Sequence, residues 1–197
     1  MERATIDYGI DLGTTNSVIC YLNGMNAEII KNNWASDTTP SAVMIDKKGQ
    51  VVVGRVAKER VFFDPHNVAF EFKRNMGKEI AFTFQQSGRT LYPEDLSAEV
   101  LKALKGDVLK RKGEELGGAV ITVPAAFELP QCAATKKAAE RAGFSCFPLL
   151  QEPVAASLAY GFQSESEKVY WLVYDLGGGT FDAALVNMRD GAFHVVH

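Results

Sequence analysis

A chain of 197 residues, 47% hydrophobic and with a formal charge of −3, can bury a proper core and shows no basic excess of the kind that nucleic acid selects. Its three cysteines, Cys20, Cys132 and Cys146, lie in apolar patterns without zinc-site spacing, and read as small buried hydrophobes in a reducing compartment. The N-terminus lacks an apolar signal core and no stretch approaches the ~20 apolar residues needed to cross a bilayer, so a cytoplasmic protein with no membrane partner is expected.

The chain opens with Tyr8-Gly-Ile-Asp11-Leu-Gly13-Thr14-Thr15, a short strand that delivers a carboxylate to its end and then turns through small residues. Ser17 to Leu22 returns as a second strand to the Asn23-Gly24 turn, and Ala27 to Ile30 continues the meander. Pro40 pushes Thr39 towards an extended backbone, and Ser41 to Ile45 pairs with Gln50 to Val53 across Asp46-Lys-Lys-Gly49. Val56 to Phe63 has helical spacing, with Val56, Arg60 and Phe63 in one stripe and Ala57 and Val61 beside it, and stops at Asp64-Pro65. In Phe70-Glu-Phe-Lys73-Arg74 the lysine alternates with aromatics, which by itself describes a solvated lysine on an amphipathic surface.

Short strands around Ala81 to Phe84 and Arg89 to Tyr92 precede a long helix. It is opened by Pro93-Glu-Asp, carries Leu96, Val100, Leu104 and Val108 on one face, and closes at Lys110-Arg-Lys-Gly113. Ala119 to Val123 reads as a central strand covered on both faces, Pro130 to Ala142 as a helix capped by Gly143, and Cys146 to Leu150 as the strand that completes a strand-helix-strand unit. Glu152-Pro153 then starts a helix that Gly161 ends, which presents Glu152 at the end of a strand, where open α/β sheets bind ligands. Gln163 to Lys168 is a polar loop.

The stretch Val169 to Tyr174, read as a buried strand, leads into Asp175-Leu-Gly177-Gly178-Gly179-Thr180-Phe-Asp182, and Phe181 to Met188 reaches the Asp190-Gly191 turn. This repeats the plan of the first hairpin and implies an internal duplication. Glycine-rich turns leave backbone N–H groups facing a concavity, so two such loops can clamp one polyphosphate from opposite sides. Asp11 and Asp175 then sit beside a divalent metal.

The order of motifs resembles the N-terminal ATPase domain of the seventy-kilodalton heat-shock chaperones, the DnaK-like family of the actin and sugar-kinase superfamily. The resemblance runs from Ile6 to about Val186. It rests on G-I-D-L-G-T-T-N-S at 9 to 17, T-T-P-S at 38 to 41, F-K-R-N-M-G at 72 to 77, I-T-V-P-A at 121 to 125, E-P-V-A-A-S-L-A-Y-G at 152 to 161 and D-L-G-G-G-T-F-D at 175 to 182. It implies an α/β fold of the ribonuclease H-like, actin-like ATPase type, with a mixed central sheet flanked by helices. Residues 1–40 and 113–168 would form the core of lobe I, 41–112 an inserted small subdomain, and 169–197 the first hairpin of lobe II. The adenine-binding half, the interdomain linker and the peptide-binding domain would lie outside the chain.

The resemblance further implies ATP or ADP with Mg²⁺ as ligands. Asp11 and Asp175 would organise the metal and its waters, with Glu152 orienting that shell, and Gly13, Thr14, Thr15, Asn16 and Gly177 to Thr180 would cradle the phosphates. Lys73 would hold the γ-phosphate and attacking water, with Asp182 and Thr180 assisting, which reverses the solvated reading of Lys73. Client peptides would bind through the C-terminal domain. An actin-like filament ATPase and a sugar or acetate kinase share the fold; Glu152-Pro-Val-Ala-Ala and Phe72-Lys-Arg argue against the first, and no acceptor carboxylate supports the second.

Departures from the family pattern define further expectations. Cys132 and Pro148 replace arginines that the family uses between lobes and with the J-domain cochaperone, Gln151 replaces Asn, and Asp37 stands where Arg precedes Thr-Thr-Pro. A weak response to a general J-domain cochaperone and a divergent, HscC-like branch are expected, and the nucleotide-exchange factor is left open.

Overall fold

The computed structural model describes residues 6–24, 26–161, 170–178, 180–189 and 192–196. The strands are β1 (Tyr8–Asp11), β2 (Asn16–Asn23), β3 (Asn26–Ile29), β4 (Thr39–Pro40), β5 (Ala42–Ile45) and β6 (Val51–Val53), followed by helix α1 (Arg55–Arg60). Next come β7 (Val68–Phe70), β8 (Phe82–Phe84), β9 (Arg89–Leu91), α2 (Pro93–Lys112), β10 (Val120–Val123), α3 (Leu129–Arg141), β11 (Leu149–Gln151) and α4 (Glu152–Gly161). The chain ends in β12 (Tyr170–Leu176), β13 (Phe181–Arg189) and β14 (Ala192–Val195).

The main sheet runs β11-β10-β1-β2-β3, with β4 added to β2. It is mixed: β1 pairs parallel with β10 and β10 parallel with β11, whereas β1–β2 and β2–β3 are antiparallel. Its apolar positions Tyr8, Ile10, Ile19 and Ile121 join one core with Leu96, Val100, Leu104 and Val108, the stripe of α2 read from the sequence. That helix starts with the Asp95 carboxylate accepting the Tyr92 N–H at 3.0 Å and stops at Gly113, whose φ of 70° suits glycine. The Lys110-Arg-Lys cluster does more than complement the helix end. Arg111 donates to the carbonyls of Lys31 and Asn32, Lys110 donates to Asn33 Oδ1, and Lys112 lies 3.6 Å above the Tyr21 ring.

Several expectations need correction. Helix α1 is shorter than the spacing implied; Ala57 is its buried residue, and Phe62 and Phe63 are exposed, because the chain turns outward before Pro65. Lys73, which its local pattern alone describes as solvated, is buried in a 3₁₀ turn over Phe72–Asn75. Strand β10 buries Ile121 and Val123 on one face, while Val120 and Thr122 are half-buried. Cys146 is exposed beside the edge of the main sheet, and Cys20 and Cys132 are half-buried; all three thiols are free.

Strand β12 is not a buried strand either. Tyr170, Leu172, Tyr174 and Leu176 are exposed on one face, since β12, β13 and β14 form a separate antiparallel sheet whose opposite face packs on α4. Ala184 and Val186 are buried beneath it. Helix α4 also touches β10 and β11, so it joins the two sheets and sets the second hairpin against the first. The Asp190-Gly191 turn and the loop from Gln163 to Lys168 lie outside the described residues. Among the described residues, no helix is long and apolar enough to cross a membrane.

Candidate functional site

One cleft of about 540 Å³ lies where the two hairpins face each other. It is lined by Asp11, Gly13, Thr14, Thr15 and Asn16 from the first loop and by Asp175, Gly177, Gly178, Thr180 and Asp182 from the second, with Lys73 and Glu152 between them. The sequence-predicted residues are thereby brought together, except Gly179, which lies outside the described residues.

Each loop owes its shape to its small residues. A Cβ at Gly13 would fall 2.0 Å from the Asn16 carbonyl oxygen, so only glycine allows that turn. The carbonyls behind the first loop are taken up by Ser41, whose Oγ donates to Gly13 O at 2.7 Å and whose N–H donates to Thr15 O at 2.9 Å. Ser17 Oγ lies 3.0 Å from Ser41 Oγ and completes this buried support. In the second loop the Gly177 N–H donates to Thr180 O at 2.9 Å and closes the turn, so that donor serves the loop itself and not a ligand. The loops meet directly, because a Cβ at Gly178 would lie 2.6 Å from Thr15 Oγ1.

The charges converge. Lys73 is 6% exposed, and its Nζ donates to Glu152 Oε1 at 2.9 Å. The same ammonium lies 5.5 Å from the centre of the Phe127 ring. Glu152 stands at the first residue of α4, directly after β11, as the strand-to-helix reading expects. Burial pushes its carboxyl above the ordinary glutamate value, the Lys73 charge and hydrogen bond pull it down, and the charges of Asp11 and Asp175 push it up again. Three carboxylates therefore share one field, with a lysine as their buried counter-charge.

These residues fit a hydrated divalent cation and a phosphate chain. Among the described residues no three acidic, histidine or cysteine side chains gather into a direct metal cage. Dispersed hard oxygen donors around an open cleft suit Mg²⁺, a small ion that retains several waters and borrows further ligands from phosphate. Thr15 Oγ1 is buried without a hydrogen-bond partner among the described residues, an unmet donor and acceptor on the wall that a phosphate would face.

Sequence reasoning passed over Ser41, Phe127, Arg74 and Gln131. Ser41 and Arg74 stood inside motifs, but their places at the site need the fold; Phe127 and Gln131 line the cleft without a local signal. Cys132 and Pro148 both border one open depression beside the β11 edge, together with Cys146 and Lys136. A family model described as Hsp70 protein matches residues 7–197. The chain therefore belongs to the Hsp70 family of ATP-binding chaperones, whose nucleotide domain has the actin-like ATPase fold.

Proposed function

We propose that the cleft binds ATP or ADP with Mg²⁺ and that the parent protein hydrolyses ATP to drive peptide binding by a C-terminal domain. The observation that carries this reading is the buried Lys73–Glu152 pair in a cleft walled by both glycine loops. Asp11 and Asp175 hold the water shell of the metal, and Glu152 orients it. Gly13 to Asn16 and Gly177 to Thr180 cradle the phosphates, Thr15 Oγ1 being the free donor on that wall. Lys73 turns its ammonium to the γ-phosphate and the attacking water, while Asp182 and Thr180 orient that water. The metal, when bound, neutralises charge on the transferring phosphoryl group; everything else is positioning and donor placement by these side chains.

In this reading residues 1–40 and 113–168 form the core of lobe I, 41–112 its inserted subdomain, and 169–197 the first hairpin of lobe II. The 197 residues alone bind nucleotide weakly and turn over negligibly, because the outer face of β12 to β14 is exposed and the second loop rides on that sheet. Cys132 and Pro148 in place of arginines support a divergent branch with a weak response to a general J-domain cochaperone; strong stimulation by one would refute it. A cytoplasmic setting is the one that membership of the Hsp70 family suggests.

The test is a pair of measurements. Calorimetric titration of the 197-residue chain with MgATP is expected to give a dissociation constant far weaker than micromolar. Release of inorganic phosphate by the parent protein, without any acceptor, is expected of a chaperone ATPase. A strict requirement for a sugar or acetate acceptor would replace this reading with a kinase.

A further inference from the structure

Thr122 is the one polar residue in the run Ala119 to Val123, and its register partner across the parallel β1–β10 pair is Asp11. Its Oγ1 donates to Asp11 Oδ1 at 3.1 Å, with the Ile10 carbonyl a longer alternative at 3.5 Å. This is the one hydrogen bond that the Asp11 carboxylate receives among the described residues.

Folding does not ask for a hydroxyl here. Valine is the isostere, is equally β-branched, and matches Val120, Ile121 and Val123 on the same strand. Asp11 is exposed to the cleft, so water would satisfy its carboxylate without help. The terminal torsion of an aspartate is broad, however, and a solvated carboxylate at a strand end samples many orientations. A hydroxyl fixed on the neighbouring strand occupies Oδ1 and leaves Oδ2 for the cleft.

We propose that Thr122 is a positioning residue for Asp11, selecting the carboxylate orientation that meets the water shell of the metal. The proposal rests on the reading of Asp11 as a metal-shell carboxylate. A ligand of this type loses affinity when the group that orients it is removed, typically 10-fold or more.

The test uses the 197-residue chain with Mn²⁺ alone as the probe, an ion of the same oxygen-ligand preference as Mg²⁺. Paramagnetic broadening of the Ile10 and Val18 methyl resonances, titrated to saturation, gives a midpoint for the wild type, Thr122→Val, Thr122→Ser, Thr122→Ala and Asp11→Asn. The expected result is a midpoint raised about tenfold in Thr122→Val and Thr122→Ala, kept in Thr122→Ser, and raised at least as far in Asp11→Asn. Thermal melting of each variant shows that it is folded, with Thr122→Ala standing in should Thr122→Val not fold. An unchanged midpoint in the folded Thr122 variants, beside a raised one in Asp11→Asn, overturns the role of Thr122 alone. Equal midpoints in wild type and Asp11→Asn, or no saturable broadening, overturn the reading of Asp11 and this proposal with it.

Discussion

Gly178 of the second loop packs directly on Thr15 of the first, so closely that a single added methyl would lie 2.6 Å from the threonine hydroxyl. The two glycine loops therefore touch each other, and the width of the cleft between them is set at this contact. Gly178→Ala is expected to spread the loops by a fraction of an ångström while leaving the fold intact, since the methyl meets a side chain at the cleft wall and not packed backbone. Misplacements of that size at a phosphate site cost about a hundredfold in turnover when they reach 1 Å. ATP turnover of the parent protein should fall, by about a hundredfold at most, with an unchanged melting temperature. Wild-type turnover in Gly178→Ala would show that the contact does not gauge the cleft.

Lys73→Ala removes the buried counter-charge of Glu152 and, on the proposed reading, the ammonium that meets the γ-phosphate. Turnover of the parent protein should fall by about a hundredfold or more, as for loss of a preorganised donor to developing charge. Stability should respond to pH in a defined direction. Glu152 already has its folded-state carboxyl raised, so its contribution is fully present below the unfolded value and is lost as pH rises through the folded one. Without Lys73 that folded value rises further. The melting-temperature deficit of Lys73→Ala against wild type should therefore be small near pH 4 and widen as pH rises above the ordinary glutamate range. A deficit that is constant across this range, or that narrows with rising pH, contradicts the pairing.

Asp107 offers the same logic away from the cleft. It is a buried residue of α2 whose carboxyl is pushed up by burial, against the charges of Lys110 and Arg111 and a hydrogen bond from the Asn33 N–H. A raised folded-state value means that charging Asp107 costs stability as pH rises. Asp107→Asn keeps an acceptor for Asn33 and has nothing to ionise. Its melting temperature should equal or exceed that of wild type at pH 8, with a flatter pH dependence between about 4 and 8, by differential scanning calorimetry. A lower melting temperature at pH 8 with the wild-type slope would show that the charged form is the stabilising one.

Much of this arrangement was legible in the sequence where a local rule and the tertiary context agree. The first hairpin, α2 with its leucine and valine stripe, the β10-α3-β11 unit and the placement of Glu152 at the start of α4 all follow from periodicity and from Gly or Pro at element ends. Lys73 shows the limit. Its alternation with aromatics describes an exposed lysine, and what overrides it is a 3₁₀ turn and a glutamate 79 positions away, which no window along the chain contains. Strand β12 shows the converse. Its apolar residues satisfy every rule for a buried strand, yet burial depends on what covers the sheet, and α4 covers one face only. Cys146 fails for the same reason, lying beside the edge of the main sheet and not within it.

That half-covered sheet supports a final prediction, that the 197-residue chain self-associates through β12 and the start of β13. The exposed apolar surface centres on Tyr170, Leu172, Tyr174, Leu176 and Phe181. Leu172 is 56% and Leu176 82% exposed, and cross-strand pairing sets Leu176 opposite Phe181, whose ring stacks with Tyr174 at 6.1 Å. No charged residue interrupts this row, and β12 and β14 are both outer strands of their sheet. Monomeric proteins seldom expose contiguous apolar patches beyond a few hundred Å², and outer strands whose one carboxylate is Asp175, off this row, have little of the usual protection against edge pairing. Sedimentation velocity at rising concentration should reveal reversible oligomers of the wild-type chain. Leu172→Lys with Leu176→Lys should return it to a monomer with an unchanged far-ultraviolet circular dichroism spectrum, because both side chains lie on the face away from α4. A wild type that stays monomeric to several hundred micromolar, or a double variant that associates as strongly as wild type, would remove this face as the contact.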